Sequence, residues 1–382
     1  MINKFRFMCQ PEIVWGENSV SRLPEVIKSL GGKKVLLVAD RNFAGTDIFG
    51  GITNSLEKQG MGLAVFDKLQ GEPSTELGDE CASFGRKEKC DIVCGIGGGS
   101  TLDTAKAAAV LITNGGSIRD YQGLNKVPGP GLPKVMVPTT AGTGSEVTFT
   151  AVFIRTDEKK KGGINSPFLY PEAAILDPAL TVTVPPAVTA STGLDALCHA
   201  VESFISRKAN FMSEAVSLNA AKLIWESLPA AYENGRILGH RANMLYGSFL
   251  AGVGLANAGV TAVHSVSYPL GGVFGVAHGT GNGLLLPYVL EFDMPETAGR
   301  IARIADYVGI AAGNDVEKAT LFIETLKGLL KKFRIPRLKE LGILPENFQS
   351  LAQDALKVAV PIENNPKPVT AEDIVGIYKK AL

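Results

Sequence analysis

The chain has 382 residues, enough for two domains at ~100–200 residues each. Lys plus Arg (38) balance Asp plus Glu (38), and this zero net charge excludes nucleic acid as the main partner, because phosphate binding needs a basic surplus. Apolar residues at 45% and charged residues at 20% exclude a largely disordered chain, and no run approaches the ~20 apolar residues of a membrane span.

In chain order, the N-terminus lacks the basic start, apolar block and cleavage site of a secretory leader. Lys33–Asp40 reads as a buried strand, Gly62–Asp67 as a weaker one, and Asp91–Ile96 and Val135–Pro138 as two more, with amphipathic stretches at Val20–Leu30 and Glu76–Lys89 between them. Alternating strands and helices predict a mostly parallel sheet covered by helices. From the Pro185-Pro186 pair onward the pattern is helical: Ser191–Ile205, Met212–Tyr232, Ala242–Ala256, Thr297–Val308, Glu317–Lys332 and Thr370–Ala381. The expected division is an α/β domain over residues 1–184 and a helical domain over 185–382, with a ligand bound in the cleft between them. Cys9, Cys81, Cys90, Cys94 and Cys198 are odd in number and include no CxxC pair, so a reducing, cytoplasmic setting is expected.

Gly95-Ile-Gly-Gly-Gly-Ser100 follows a strand and opens a helix, the arrangement in which backbone amides accept a phosphate. It departs from the dinucleotide fingerprint, with Ser100 in place of the third glycine, and a plain strand–helix turn is the alternative. Asp40 ends the first clear strand, where a carboxylate either holds a ribose 2′-hydroxyl and repels a 2′-phosphate or caps a loop. Pro138-Thr-Thr-Ala-Gly-Thr-Gly-Ser-Glu146 is a hydroxyl-rich loop suited to a polar ligand or to a tight surface turn.

Four histidines occur in the chain: His199, His240, His264 and His278. Asp195 and His199 stand four apart in a helical stretch, which puts both on one face. His264 lies in a second apolar segment and His278 in the glycine-rich loop Gly275–Gly281. One carboxylate and three imidazoles make a mixed O/N donor set suited to Zn²⁺ or Fe²⁺, against the alternative of hydrogen-bonded core or surface histidines. His240 keeps that alternative.

The blocks Gly97-Gly-Gly-Ser-Thr-Leu-Asp-Thr-Ala-Lys106, Pro138–Glu146, Asp177-Pro, Gly193-Leu-Asp-Ala-Leu-Cys-His-Ala-Val-Glu202, His264-Ser-Val-Ser-Tyr-Pro-Leu-Gly-Gly272 and His278-Gly resemble the iron-dependent (group III) alcohol dehydrogenase family. The resemblance runs from Ile13 to Asp373. It implies a Rossmann-like N-terminal domain and an all-α C-terminal domain, an architecture shared with dehydroquinate synthase. It implies metal ligation by Asp195, His199, His264 and His278. It sets NAD against Gly97, Gly98, Gly99, Ser100 and Asp103, along Thr139, Thr140, Thr148 and Lys161, with Asp40 favouring NAD over NADP. It further implies a small alcohol or aldehyde substrate, Fe²⁺ before Zn²⁺, and a homodimer or larger homo-oligomer. Phe149, Phe153, Phe249 and Leu255 are expected to line the substrate pocket.

Two positions depart from the family pattern. Tyr268 stands where many members carry a further histidine with a proton-transfer role, so Tyr268 and His278 are the catalytic candidates. Glu72-Pro-Ser-Thr replaces the usual Asn-Pro-x-x-Thr turn before the phosphate loop. Hydroxyacid–oxoacid transhydrogenase, maleylacetate reductase and a dehydroquinate synthase-like lyase are the alternative activities on this architecture.

Overall fold

The buried apolar runs of the first half decide its architecture. A computed structural model describes residues 4–158 and 160–382, and they form two compact units: Cys9–Thr183, and residues 4–8 together with Val184–Leu382. The first unit contains strands β1 (Glu12–Trp15), β2 (Lys34–Asp40), β3 (Gly62–Leu69), β4 (Ile92–Gly97), β5 (Gly123–Leu124), β6 (Lys134–Pro138), β7 (Thr150–Arg155), β8 (Lys160–Asn165) and β9 (Ala173–Leu176). Its helices are α1 (Leu23–Ser29), α2 (Arg41–Ala44), α3 (Asp47–Lys58), α4 (Thr75–Lys87), α5 (Gly99–Asn114) and α6 (Ile118–Tyr121).

A parallel six-stranded sheet runs in the order β1-β9-β6-β4-β2-β3. Its central strands are buried on both faces, which is why β2 reads as the continuous run Val35–Ala39 rather than as an alternation. Leu36 and Val38 pack into one core with Cys81, Ala82, Leu102 and Ala105 of α4 and α5. Val35, Leu37 and Ala39 pack into the other with Leu23, Ile27, Phe49 and Leu56 of α1 and α3. Chain order reverses between β2 and β4: β3 lies on one side of β2 and β4 on the other. The C-terminal ends of β2 and β4 therefore flank the switch point, the position where sheets of this class bind ligands. A second, three-stranded sheet, β5-β8-β7, was not legible in the sequence, and neither were β1, β9 and α3. Phe153 is fully buried in the core with Ile118, so the expected pocket role for it is corrected: it packs the small sheet onto α4.

The second unit comprises α7 (Pro186–Ile205), α8 (Phe211–Glu233), α9 (Leu238–Ala258), α10 (Ala262–Phe274), α11 (His278–Tyr307), α12 (Asp315–Lys332), α13 (Phe348–Leu356), α14 (Ala359–Asn364) and α15 (Ala371–Ala381). Gly193–Ile205 of α7 is buried around its whole circumference, as expected of a central helix; α8, α9 and α11 pack on it. The expected helix Thr297–Val308 is the last part of the thirty-residue α11, which starts at His278. His278 thus opens a helix instead of lying in a loop. Asn257 of α9 accepts a bond from Met8 N (2.6 Å) and donates one to Met8 O (2.8 Å), which ties the N-terminal arm to the helical unit, whereas the expected division kept it with the first. Among the described residues no single helix is long and apolar enough to cross a membrane.

Candidate metal centre and nucleotide loops

In the first unit, β4 ends at Gly97 and α5 starts at Gly99 with Gly98 as its N-cap, and no side chain of the N-cap occupies the first-turn amides. This is an anion cradle at the N-terminus of a sixteen-residue helix. A Cβ on Gly97 would come within 2.5 Å of Thr101 Oγ1 in the helix that follows, and one on Gly99 within 2.5 Å of Thr143 Cγ2, so glycine at 99 lets the phosphate loop and the hydroxyl loop lie this close. Thr139 N donates to Gly97 O (2.9 Å), which holds the two loops side by side at the ends of β4 and β6. Those features fit a dinucleotide pyrophosphate.

Asp40 lies beside this loop, since Ala39 of β2 pairs with Ile96 of β4. Its Oδ1 accepts from Asn42 N (3.0 Å) and Phe43 N (3.1 Å), so it caps α2. Asp103 is turned into the protein: Ser145 Oγ donates to Oδ1 (2.5 Å) and Val152 N to Oδ2 (2.8 Å). Lys106, fully buried one turn on, ion-pairs with Asp103 (3.3 Å) and donates to Ser145 O (2.9 Å), Thr150 O (2.5 Å) and Thr148 Oγ1 (3.4 Å). The pair clamps the end of the hydroxyl loop, and Thr148 is part of that clamp. Burial pulls the Lys106 ammonium below the usual lysine range against the pull of Asp103, while burial pushes the neighbouring Glu146 carboxyl up to about 7. Lys161 reaches from β8 to Glu72, 2.6 Å away, so the carboxylate that replaces the family asparagine carries its own counter-charge.

In the second unit, α7 supplies Asp195 and His199, the first turn of α10 supplies His264, and the first residue of α11 supplies His278. One ligand atom from each lies within 4.8 Å of all the others. His199 Nε2 is 3.1 Å from His264 Nε2, and Asp195 Oδ1 is 3.9 Å from His199 Nε2 and 3.8 Å from His278 Nε2. Asp195, His199 and His264 are buried, whereas the His278 side chain is 30% exposed. Three of the four donors are therefore shielded from solvent, and the cluster meets solvent on the His278 side. His240 stands apart from the cluster, at the start of α9.

Glu202 is the residue the sequence reading passed over. It follows Asp195 and His199 on the same face of α7 and is fully buried. Its Oε2 lies 2.5 Å from His264 Nδ1; its Oε1 accepts from Thr261 N (2.9 Å), Thr261 Oγ1 (3.0 Å) and His264 N (3.4 Å). The carboxylate fixes the proton on Nδ1, which turns the Nε2 lone pair of His264 towards the other donors. Burial would lower the His264 pKa, but the Glu202 charge and bond outweigh it and raise it. Burial would likewise raise the Asp195 carboxyl, yet the imidazoles of His199, His278 and His264 hold it down at about 2. These properties fit a divalent cation. Tyr268 is half-buried, with its ring centroid 5.6 Å from that of His278 and 6.4 Å from that of His264.

Two expected outcomes follow from this packing. A Cβ on Gly279, next to His278, would sit 2.3 Å from the Ser191 carbonyl oxygen of α7. Gly279→Ala is expected to move His278 off the cluster and weaken divalent-ion binding by at least about tenfold in chelator competition; unchanged affinity would contradict the close approach. Behind Glu202, the Asp293 carboxyl is pushed up to about 7 by burial, against the Asn365 bond and the Lys367 charge, and its Oδ2 has no hydrogen-bond partner. An unfolded Asp titrates near ~3.9, so between that pH and about 7 the folded chain binds the extra proton and stability falls as pH rises. Relative to wild type, Asp293→Asn is expected to gain unfolding free energy by up to about 1.4 kcal/mol per pH unit across that window, and a pH-independent difference would contradict the burial argument.

The family profile described as iron-containing alcohol dehydrogenase matches residues 10–178, and the profile of the C-terminal part of the Fe-containing alcohol dehydrogenase family matches residues 189–382. The chain is 38% identical over 373 residues to long-chain-alcohol dehydrogenase 1 of Geobacillus thermodenitrificans (96% of this chain, 93% of the relative). It is 36% identical over 379 residues to the NAD-dependent methanol dehydrogenase of Bacillus methanolicus (98% and 99%). A crystal structure of a 1,3-propanediol oxidoreductase superposes with a TM-score of 0.96 at 33% identity, over all of both chains. With both halves matched and the four-residue donor cluster in place, the chain belongs to the iron-containing alcohol dehydrogenase family.

Proposed function

We propose that the protein is a metal-dependent oxidoreductase that moves a hydride between NAD(H) and a small alcohol or aldehyde. The observation that carries this reading is the convergence of Asp195, His199, His264 and His278 into one donor cluster open at His278, on a chain that also carries a phosphate-binding loop at a sheet switch point. Fe²⁺ is the assigned ion, and Zn²⁺ is the competitor that the same O/N donors also suit. When bound, the ion supplies Lewis-acid polarisation of the substrate oxygen.

The chain's own residues do the rest. Asp195 brings negative charge into a buried site, and Glu202 holds His264 in the tautomer that presents Nε2. Tyr268, edge-on to His264 and tilted against His278, is the hydroxyl assigned to pass the proton at the substrate oxygen. Gly97, Gly98, Gly99 and Ser100 take the pyrophosphate with Thr139 and Thr140 alongside. Asp103 is assigned to hold the hydroxyl loop through Ser145 and Val152. Lys161 stays beside the cofactor with its charge matched by Glu72. Asp40 takes the adenosine ribose and repels a 2′-phosphate, hence NAD. The cytoplasmic location and homodimeric or higher state carried in this reading rest on cysteine usage and family resemblance.

The test is NADH oxidation with short aldehydes and 2-oxoacids, using protein reconstituted anaerobically with Fe²⁺ and chelated protein as control. Turnover of aldehydes that requires Fe²⁺ and prefers NADH is expected, with Asp40→Ser raising the relative use of NADPH by about tenfold, the equivalent of ~1.4 kcal/mol. Turnover that survives chelation would contradict the metal role. Exchange between a hydroxyacid and an oxoacid without added cofactor would replace the reading with transhydrogenation.

A further inference from the structure

One turn after His278, α11 brings a second polar side chain to the centre. Asn282 is fully buried. Its Nδ2 lies 2.7 Å from Asp195 Oδ1, 3.0 Å from His264 Nε2 and 3.1 Å from His278 Nε2. Its Oδ1 accepts from Ser267 Oγ, which α10 carries one turn after His264. The amide orientation follows from the partners: the Asp195 carboxylate can only accept, and the Ser267 hydroxyl has a hydrogen to give. Asn282 thus contacts three of the four candidate ligands, and Ser267 fixes it in place from behind.

We propose that Asn282 is a positioning residue of the metal centre: its Nδ2 donates to Asp195 Oδ1 and pins the carboxylate at the point where the four donors converge. This rests on the metal-binding reading given above. The residue type suits the place. An apolar side chain would remove the donor that lies 2.7 Å from Asp195 Oδ1 in a site only 2% exposed, and with it the bond that fixes the carboxylate's rotation. An aspartate would set a second charge against Asp195 at the same short distance. A neutral amide held by a hydroxyl supplies a donor of fixed direction, the usual means by which groups around a metal site orient its ligands.

The test compares wild type, Asn282→Leu and Ser267→Ala, each measured for Zn²⁺ affinity by chelator competition and for the visible absorption bands of the Co²⁺-loaded protein. Asn282→Leu keeps most of the volume and removes the donor. It is expected to raise the Zn²⁺ Kd about 10–100-fold and to shift the Co²⁺ bands, because the carboxylate is free to rotate. Ser267→Ala leaves the amide but frees its pivot, and is expected to raise the Kd by a smaller factor in the same direction. Zn²⁺ affinity within twofold of wild type with unchanged Co²⁺ bands in Asn282→Leu would overturn the proposal. If that variant does not fold, an unchanged Kd in Ser267→Ala would overturn it instead. A wild-type chain that takes up no divalent ion would fail the metal-binding reading itself, before any variant is compared.

Discussion

The centre depends on one buried carboxylate. Glu202 sits where water does not reach, on a helix that is buried around its whole circumference from Gly193 to Ile205. An ion in such a place must be fully hydrogen-bonded or it destabilises the fold by several kcal/mol. Its partners are all at the first turn of α10: Thr261 N and Oγ1, and His264 N and Nδ1. The helix N-terminus stabilises the charge, and the charge caps the helix. One interaction therefore sets the position of α10 against α7, the tautomer of His264 and the direction of its Nε2.

The nucleotide side obeys a different constraint. Nothing there needs a buried charge to create affinity; the sheet order does the work. Because β3 and β4 lie on opposite sides of β2, the chain leaves a crevice at the carboxyl ends of β2 and β4. The glycine loop falls at residue 97 because that is where β4 ends at this crevice, not in the first strand–helix turn of the chain. The Asp103–Lys106 pair then holds the end of the neighbouring hydroxyl loop from behind, through Ser145, Thr148, Thr150 and Val152. The first turn of α5 offers backbone amides, while the nearby charges of Asp103 and Lys106, and of Lys161 and Glu72, are paired with each other.

Much of this was readable from the chain. β2 and β4 show as unbroken apolar runs because both their faces are covered, and α7 shows because Asp195 and His199 punctuate an apolar stretch at helical spacing. The four-residue donor cluster was legible because histidine is rare in the sequence. Glu202 was missed although the signal was present: residues 195, 199 and 202 form a single polar stripe at i, i+4 and i+7, and a stripe of that kind on a buried helix needs partners. β8 was illegible for a physical reason. Its run Lys-Lys-Gly-Gly-Ile-Asn has low strand propensity, and Gly162 is required because a Cβ there would come within 2.8 Å of the Gln122 side chain. Phe153 looked like a pocket residue from its place near the hydroxyl loop; the pairing of β7 with β8 turns it into the core instead. His278 looked like a loop residue because glycines surround it, yet Gly279 and Gly281 lie within α11, and Gly279 is there to let that helix approach α7.

The central claim is that these four side chains hold one divalent ion. It is tested most directly by anomalous X-ray scattering from crystals grown with Fe²⁺ under argon, collected above and below the iron edge. One strong edge-dependent peak per chain is expected, bonded to Asp195, His199, His264 and His278. A peak elsewhere, or none in crystals whose chains are shown by elemental analysis to contain iron, would contradict the account.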